Sequence, residues 1–130
     1  MIKLKGYIFS RSFFDERVPQ HIQNIILRDY CTKNNFQFLL SATEYAMTNS
    51  DLMLKQILNE FDYIDGIVAY SLFQLPKCKD SRTLIINKFL EAKKQIHFAC
   101  ESMSIVKVTD FEEIETLWQI KIATNTNSLI

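Results

Sequence analysis

Glycine and proline are scarce in this 130-residue chain, two of each, which excludes collagen-like, linker-rich and low-complexity organisation. No GxGxxG and no GxxxxGK[ST] stretch occurs, so the glycine-rich phosphate cradles of dinucleotide and triphosphate sites are missing. Charge of one sign is not in excess either. Fifteen basic residues stand against fifteen acidic ones, which removes the broad positive field that drives non-specific binding to DNA or RNA. Cys31, Cys78 and Cys100 form no CxxC pair and have no clustered histidines beside them. A zinc site therefore lacks its ligand spacing, and reduced, mostly structural thiols are expected. No run of about eighteen apolar residues appears, and Met1 to Leu4 begin a strand without a basic leader; a cytoplasmic protein with no membrane segment is the expectation. No metal, no cofactor and no nucleic-acid partner is expected.

What the chain does have is a 48% apolar share and a length that suits one domain, burying roughly two thirds of the surface of the unfolded chain. Residues 1–123 read as that domain and 124–130 as a polar, flexible tail.

Leu4 to Phe9 is a short apolar run that empties into Ser10-Arg11-Ser12, a buried first strand entering a polar loop. A helix is expected over Pro19 to Lys33, with proline in its first turn and Asn34-Asn35 as its stop. Ile22, Ile25, Ile26 and Tyr30 form the expected inner face, with Gln23, Asn24, Arg28 and Lys33 outward. Phe36 to Leu40 reads as the second strand and Ser41 to Met47 as a second polar loop. A helix capped by Asn49 or Ser50 follows, its stripe made by Leu52, Met53, Ile57, Leu58 and Phe61. Gly66 to Tyr70 is apolar on both faces, as a central parallel strand must be. Ser81 to Lys94 is expected as a helix with Leu84, Ile85, Phe89 and Leu90 inward, then strands at Gln95 to Cys100 and Ser104 to Val108. Asp110 caps a last helix carrying Phe111, Ile114, Leu117, Trp118 and Ile122. Strands alternating with helices predict a single doubly wound, three-layer α/β domain with a mostly parallel four- or five-stranded sheet.

Right-handed crossovers put the loops after the strands on one edge. That edge would gather Ser10, Arg11, Ser12 and Arg17, then Ser41, Glu44 and Tyr45, then Tyr70, Ser71 and Gln74, then Glu101. Arginine with hydroxyls and free N–H groups is the chemistry that holds a phosphate or carboxylate. Gln20 and His21 open the first helix, where the dipole favours a neutral imidazole able to act as a base. Glu44 and Glu101, on neighbouring loop tips, suit general acid and base work or binding of sugar hydroxyls. His21, Ser10 and Glu44 are the candidate catalytic groups, and the others the candidate ligand contacts. His97 alternates within an apolar strand and reads as a core histidine.

Two resemblances follow from these residues. Gly6-Tyr7-Ile8-Phe9-Ser10-Arg11-Ser12 resembles the opening Gly-Tyr-Ala-Arg-Val-Ser of the serine recombinases, the resolvase and invertase family. Gln20 or Gln23 falls where that family's first helix has a glutamine, and Ser71 to Pro76 resembles its Lys-Leu-Asp-Arg-Leu-Gly segment. This resemblance implies a resolvase- or flavodoxin-like fold. The family's strand arginine is replaced by Phe9 or displaced to Arg11, its nucleophilic serine is met by Arg11 with serines on either side, and its Asp-Arg pair by Phe73-Gln74; strand transfer needs several arginines around the scissile phosphate. The second resemblance is to the sporadic carbohydrate cluster proteins of bacterial surface-glycan loci. It is carried by Gly6 to Arg11, Glu16 to His21, Arg28 to Cys31, Leu39 to Met47 and Asp65 to Pro76, and it implies polysaccharide or nucleotide-sugar assembly. A cytoplasmic helper or small enzyme binding a sugar-derived or phosphorylated metabolite is the leading expectation. The alternative is a non-catalytic interaction module, a homo-oligomer or the partner of a protein from the same locus, using Phe111 and Trp118 of the last helix. A DNA recombinase is the reading these residues support least.

Overall fold

The computed structural model describes residues 1–14, 16–44 and 52–128, without the side chains of 52, 60, 61 and 125–128. Five strands form one sheet: β1 (Lys3–Phe9), β2 (Gln37–Glu44), β3 (Gly66–Ala69), β4 (Gln95–Phe98) and β5 (Met103–Ile105). Their spatial order is β2-β1-β3-β4-β5. All neighbours are parallel except β4 and β5, which pair antiparallel. Three helices connect the parallel strands, α1 (Gln20–Lys33), α2 (Leu52–Ile57) and α3 (Lys79–Glu91), and a fourth, α4 (Val108–Ser128), follows β5, with 3-10 turns at Leu58–Tyr63 and Leu72–Gln74. The doubly wound α/β domain expected from the alternation is thus the fold, with an antiparallel fifth strand at one edge.

Every residue of β3 is buried, as its continuous apolar run requires. Gly66 is demanded there by close approach, since a Cβ would collide with the Gln95 carbonyl of β4. Between Lys5 and Tyr7 the β1–β2 register shifts, so β2 carries an extra residue beside Gly6. A Cβ on Gly6 would strike the Ser41 side chain. The core lies mainly on one face of the sheet, where Phe9, Ile67, Phe89, Phe98, Ile114 and Trp118 pack together. A smaller cluster of Leu4, Ile8, Leu27, Cys31 and Val68 fills the other.

Several expected faces are corrected. In α1 the buried row is Gln23, Leu27 and Cys31, spaced i, i+4, i+8, while Ile22 and Ile25 are exposed. Gln23 goes inward because its amide makes four hydrogen bonds there, so burial leaves nothing unpaired. In α3, Arg82 and Ile86 are buried and Leu84 is exposed. Leu54 is the buried position of α2 that the expected stripe omits. In α4, Ile114 and Trp118 are buried but Ile122 is exposed, and the helix runs through Ser128, past the expected start of the tail. Strand β2 extends to Glu44, so Ser41 to Glu44 are strand residues and not loop. The expected caps Asn49 and Ser50 lie outside the described residues. Asn35 takes the left-handed conformation expected of a helix stop, with φ of 59°.

The Arg82 guanidinium is buried against α4, where Nε donates to Glu115 Oε2 at 2.6 Å and Nη2 to Glu115 Oε1 at 2.8 Å. Its Nη1 donates to the carbonyls of Pro76 and Lys77. Its plane also lies 4.2 Å from the centre of the Trp118 ring. Two helices and the loop after β3 are fixed by one side chain. Among the described residues no helix is long and apolar enough to cross a membrane.

Candidate functional site

The sheet order reverses between β1 and β3, and in open α/β sheets ligands bind at the carboxyl ends of the strands flanking such a switch point. Here a chain of side-chain hydrogen bonds joins the loops at that edge. Phe9 N–H donates to Gln23 Oε1 at 3.0 Å, and Gln23 Nε2 returns a bond to the Phe9 carbonyl at 2.9 Å and another to Val18 at 2.8 Å. Gln74 Nε2 donates to Gln23 Oε1 at 3.0 Å. Gln74 Oε1 accepts from the N–H groups of Tyr70 and Ser71, and Ser71 Oγ accepts from Phe73 N–H. Ser71 and Gln74 thus form a capping box on a single 3-10 turn. Ser71 Oγ in turn donates to Glu101 Oε2 at 2.8 Å, and Leu72 N–H donates to Glu101 Oε1 at 2.9 Å. The turn after β4 is thereby tied to the loop after β3.

Glu44 is not on a loop tip. It is fully buried at the end of β2, where Oε2 accepts from the Tyr7 hydroxyl at 2.7 Å and Oε1 from Met53 N–H at 2.9 Å. It holds α2 against the sheet. Ser10 Oγ donates to the Glu44 carbonyl at 2.9 Å, and Ser41 Oγ to Asn24 Oδ1 at 2.6 Å. Arg11 lies over the Phe9 ring, 4.2 Å from its centre. Ser12, Arg17, Gln20 and His21 are exposed. Tyr45 lies outside the described residues.

The open space at this edge is a cavity of about 250 Å³. The loop after β1 gives it Phe13, Phe14 and Glu16; the loop after β3 gives Tyr70, Ser71 and Phe73; the turn after β4 gives Cys100 and Glu101; α4 gives Lys121. Tyr70, Ser71 and Glu101 are expected members, and the other six were not legible. The signal that could have found the first of them is the Phe13-Phe14 pair, since adjacent aromatics in a loop need something to cover. Phe13 and Glu16 exchange both backbone hydrogen bonds at 2.9 Å, closing a tight turn in which Phe14 has φ of 49°. That conformation is unfavourable for a bulky side chain. It delivers the Phe14 ring to Phe73 and Trp118, with centroids 5.6 and 5.4 Å away.

The Tyr70 phenol is pushed up to about 12, first by its hydrogen bond with Cys100, then by burial and by the Glu16 and Glu101 charges. Partial desolvation, with the Glu101 and Glu16 charges, also raises the Cys100 thiol. Neither is poised as a nucleophile or base at neutral pH. Cys31 is buried, and burial raises it to about 11. Cys78 and Cys100 are exposed, a correction to the expectation of mostly structural thiols. Cys78 stands at the start of α3, where hydrogen bonds from Ser81 and Asp80 lower its thiol. His97 is a core residue as expected: Nδ1 meets the Tyr30 hydroxyl at 2.6 Å and Nε2 meets Gln95 Oε1 at 2.8 Å. Among the described residues no group of three His, Cys, Asp or Glu side chains is placed to hold a metal.

The architecture is that of serine-recombinase catalytic domains. The N-terminal catalytic domain of TP901-1 integrase superposes with a TM-score of 0.64 at 18% identity over 95% of both chains. A resolvase-family site-specific recombinase from Streptococcus pneumoniae gives 0.64 at 6% identity over 97% of this chain and 93% of that one. These likenesses establish the fold. No family model matches the sequence, and no curated protein does.

Proposed function

We propose that this chain is a cytoplasmic protein of bacterial surface-carbohydrate biosynthesis that binds a sugar-derived metabolite at the carboxyl edge of its sheet. The observation that supports this most is the cavity at the switch point, with aromatic walls, two carboxylates and a phenol. Aromatic faces cover the apolar faces of a sugar ring while carboxylates accept from its hydroxyls, and a few polar groups in an apolar cleft are the usual make-up of a small-molecule site. At about 250 Å³ the space is below the ~300–1,000 Å³ of drug-sized sites and suits one monosaccharide unit. The carbohydrate context comes from the resemblance of Glu16 to His21, Leu39 to Met47 and Asp65 to Pro76 to the sporadic carbohydrate cluster proteins. Arg11, Arg17 and His21, outside the cavity lining, are where a phosphate attached to that sugar would be met.

Calorimetric titration with monosaccharides and their phosphates tests the reading. Binding weakened by Tyr70→Phe supports the cavity, and weakening of the phosphorylated forms alone by Arg17→Ala supports the second contact. No heat from any sugar in the set would sink it.

A second reading, an oligomerisation module, is favoured by α4. Ile120 and Ile122 are 56% and 42% exposed on a helix that buries only Ile114, Glu115 and Trp118 among its described side chains. Light scattering that gives a dimer mass for the chain and a monomer mass for Ile120→Lys would favour it; a monomer for both would remove it.

A further inference from the structure

The cavity lining is electrically lopsided. Among the described residues of the lining, two carboxylates, Glu16 and Glu101, stand against one ammonium, Lys121, with no arginine, which leaves those residues one unit negative. Lys121 Nζ is drawn onto the rings of the outer wall, 5.5 Å from the centre of Phe14 and 5.2 Å from that of Phe73. Lys77 Nζ stands 5.1 Å from the same Phe14 ring. At these distances the ring quadrupole attracts an ammonium group. Phe13 and Tyr70, edge to face at 6.2 Å, carry no such partner in the cation–ring contacts of the described residues. Both Glu16 and Glu101 act electrostatically on the Tyr70 hydroxyl, so their charges converge on that side of the space. Glu101 has its oxygens oriented by Ser71 and Leu72, whereas Glu16 is held by backbone bonds alone among those described.

Resting on the sugar-site reading above, we propose that the ligand of this cavity carries a protonated amino group, as in an amino sugar with a free amine. The ammonium sits between Glu16 and Glu101 and against the Phe13 and Tyr70 rings, and the sugar ring fills the space toward Phe73. An N-acetyl group removes the charge, and a phosphate placed in the cavity meets two carboxylates; both are disfavoured.

The test is calorimetric titration of the whole chain at neutral pH and low salt with glucosamine and galactosamine, their N-acetyl forms, and glucose and galactose. The free amines are expected to bind at least about tenfold more tightly than the N-acetyl and neutral sugars. Glu16→Gln, an exposed position whose described bonds come from its backbone, should erase that margin, weakening the amines about tenfold and the neutral sugars by less. Lys121→Met should widen it by removing the competing charge. Neutral or N-acetylated sugars binding as well as the amines would overturn the amine inference while sustaining the sugar site. Absence of binding by every sugar would overturn both.

Discussion

Gln74 donates its side-chain amide to the side-chain carbonyl of Gln23 at 3.0 Å, across 51 residues of chain. The bond closes the switch point, because Gln23 is clasped to the end of β1 and Gln74 to the loop after β3. Both side chains are at most 1% exposed, so removing either strands a partner that cannot reach water. Gln23→Leu should cost about 2–4 kcal/mol and Gln74→Leu about 1–3 kcal/mol, since a buried group left unpaired costs ~1–3 kcal/mol. The double variant should fall short of the sum by about 1 kcal/mol, the mark of a shared network. Urea unfolding of the three variants measures it; strict additivity would show that the two amides act independently.

The Arg82–Glu115 pair makes a sharper test of burial. Glu115→Gln leaves a guanidinium, 1% exposed, without its counter-charge and should destabilise by about 3–5 kcal/mol. Replacing both, Arg82→Met with Glu115→Leu, should recover most of that loss, because burying two charges is itself costly. Thermal unfolding monitored by circular dichroism reads both variants.

The contrast between β3 and these polar pairs shows what can be read from the chain alone. Gly66 to Ala69 is apolar throughout and has one solution, a central strand, and the alternation of strands and helices then leaves few topologies. Gln23, Arg82 and Glu115 sit on helices whose apolar spacing places them in water, and their burial is made tolerable by backbone groups of the preceding loops together with side-chain partners 33 to 51 residues away. Sequence periodicity carries no information about such partners. The cavity was hidden for a related reason. Phe14 reaches it through a left-handed backbone that no glycine announces, and Lys121 arrives from a helix that crosses the edge only after the fold has formed. Conversely Ser71, Gln74 and Glu101 do gather at the edge as their positions after β3 and β4 suggest, with their polar atoms engaged in bonds to one another and to backbone.

Acid should loosen the side of the sheet covered by α1. His97, 5% exposed beneath Tyr30 and Phe36, is lowered by burial to about 4 from 6.5. Between those values the unfolded chain binds a proton that the folded chain refuses, so stability falls as pH drops from 6.5 toward 4 and the loss is complete below that. The effect should amount to about 3 kcal/mol. His97→Gln should flatten this part of the profile in urea titrations between pH 7 and 4. An unchanged slope would assign the acid sensitivity to other groups.

The anchor of α2 gives the last test. Glu44 is fully buried, and its oxygens accept from the Tyr7 hydroxyl and from the Met53 and Leu54 N–H groups at 2.7, 2.9 and 3.3 Å. Donors face both oxygens, so an amide in place of the carboxylate must turn its own N–H₂ toward a donor. Glu44→Gln should therefore cost about 2–3 kcal/mol, the combined loss of a charge-assisted bond and one unpaired donor. Tyr7→Phe removes a single donor and should cost about 1–2 kcal/mol, leaving the two N–H groups paired. Hydrogen exchange discriminates the two: Glu44→Gln should speed exchange at Met53 and Leu54 well beyond the global loss of stability, and Tyr7→Phe should not. Equal acceleration in both variants would mean that the carboxylate serves the strand and not the helix.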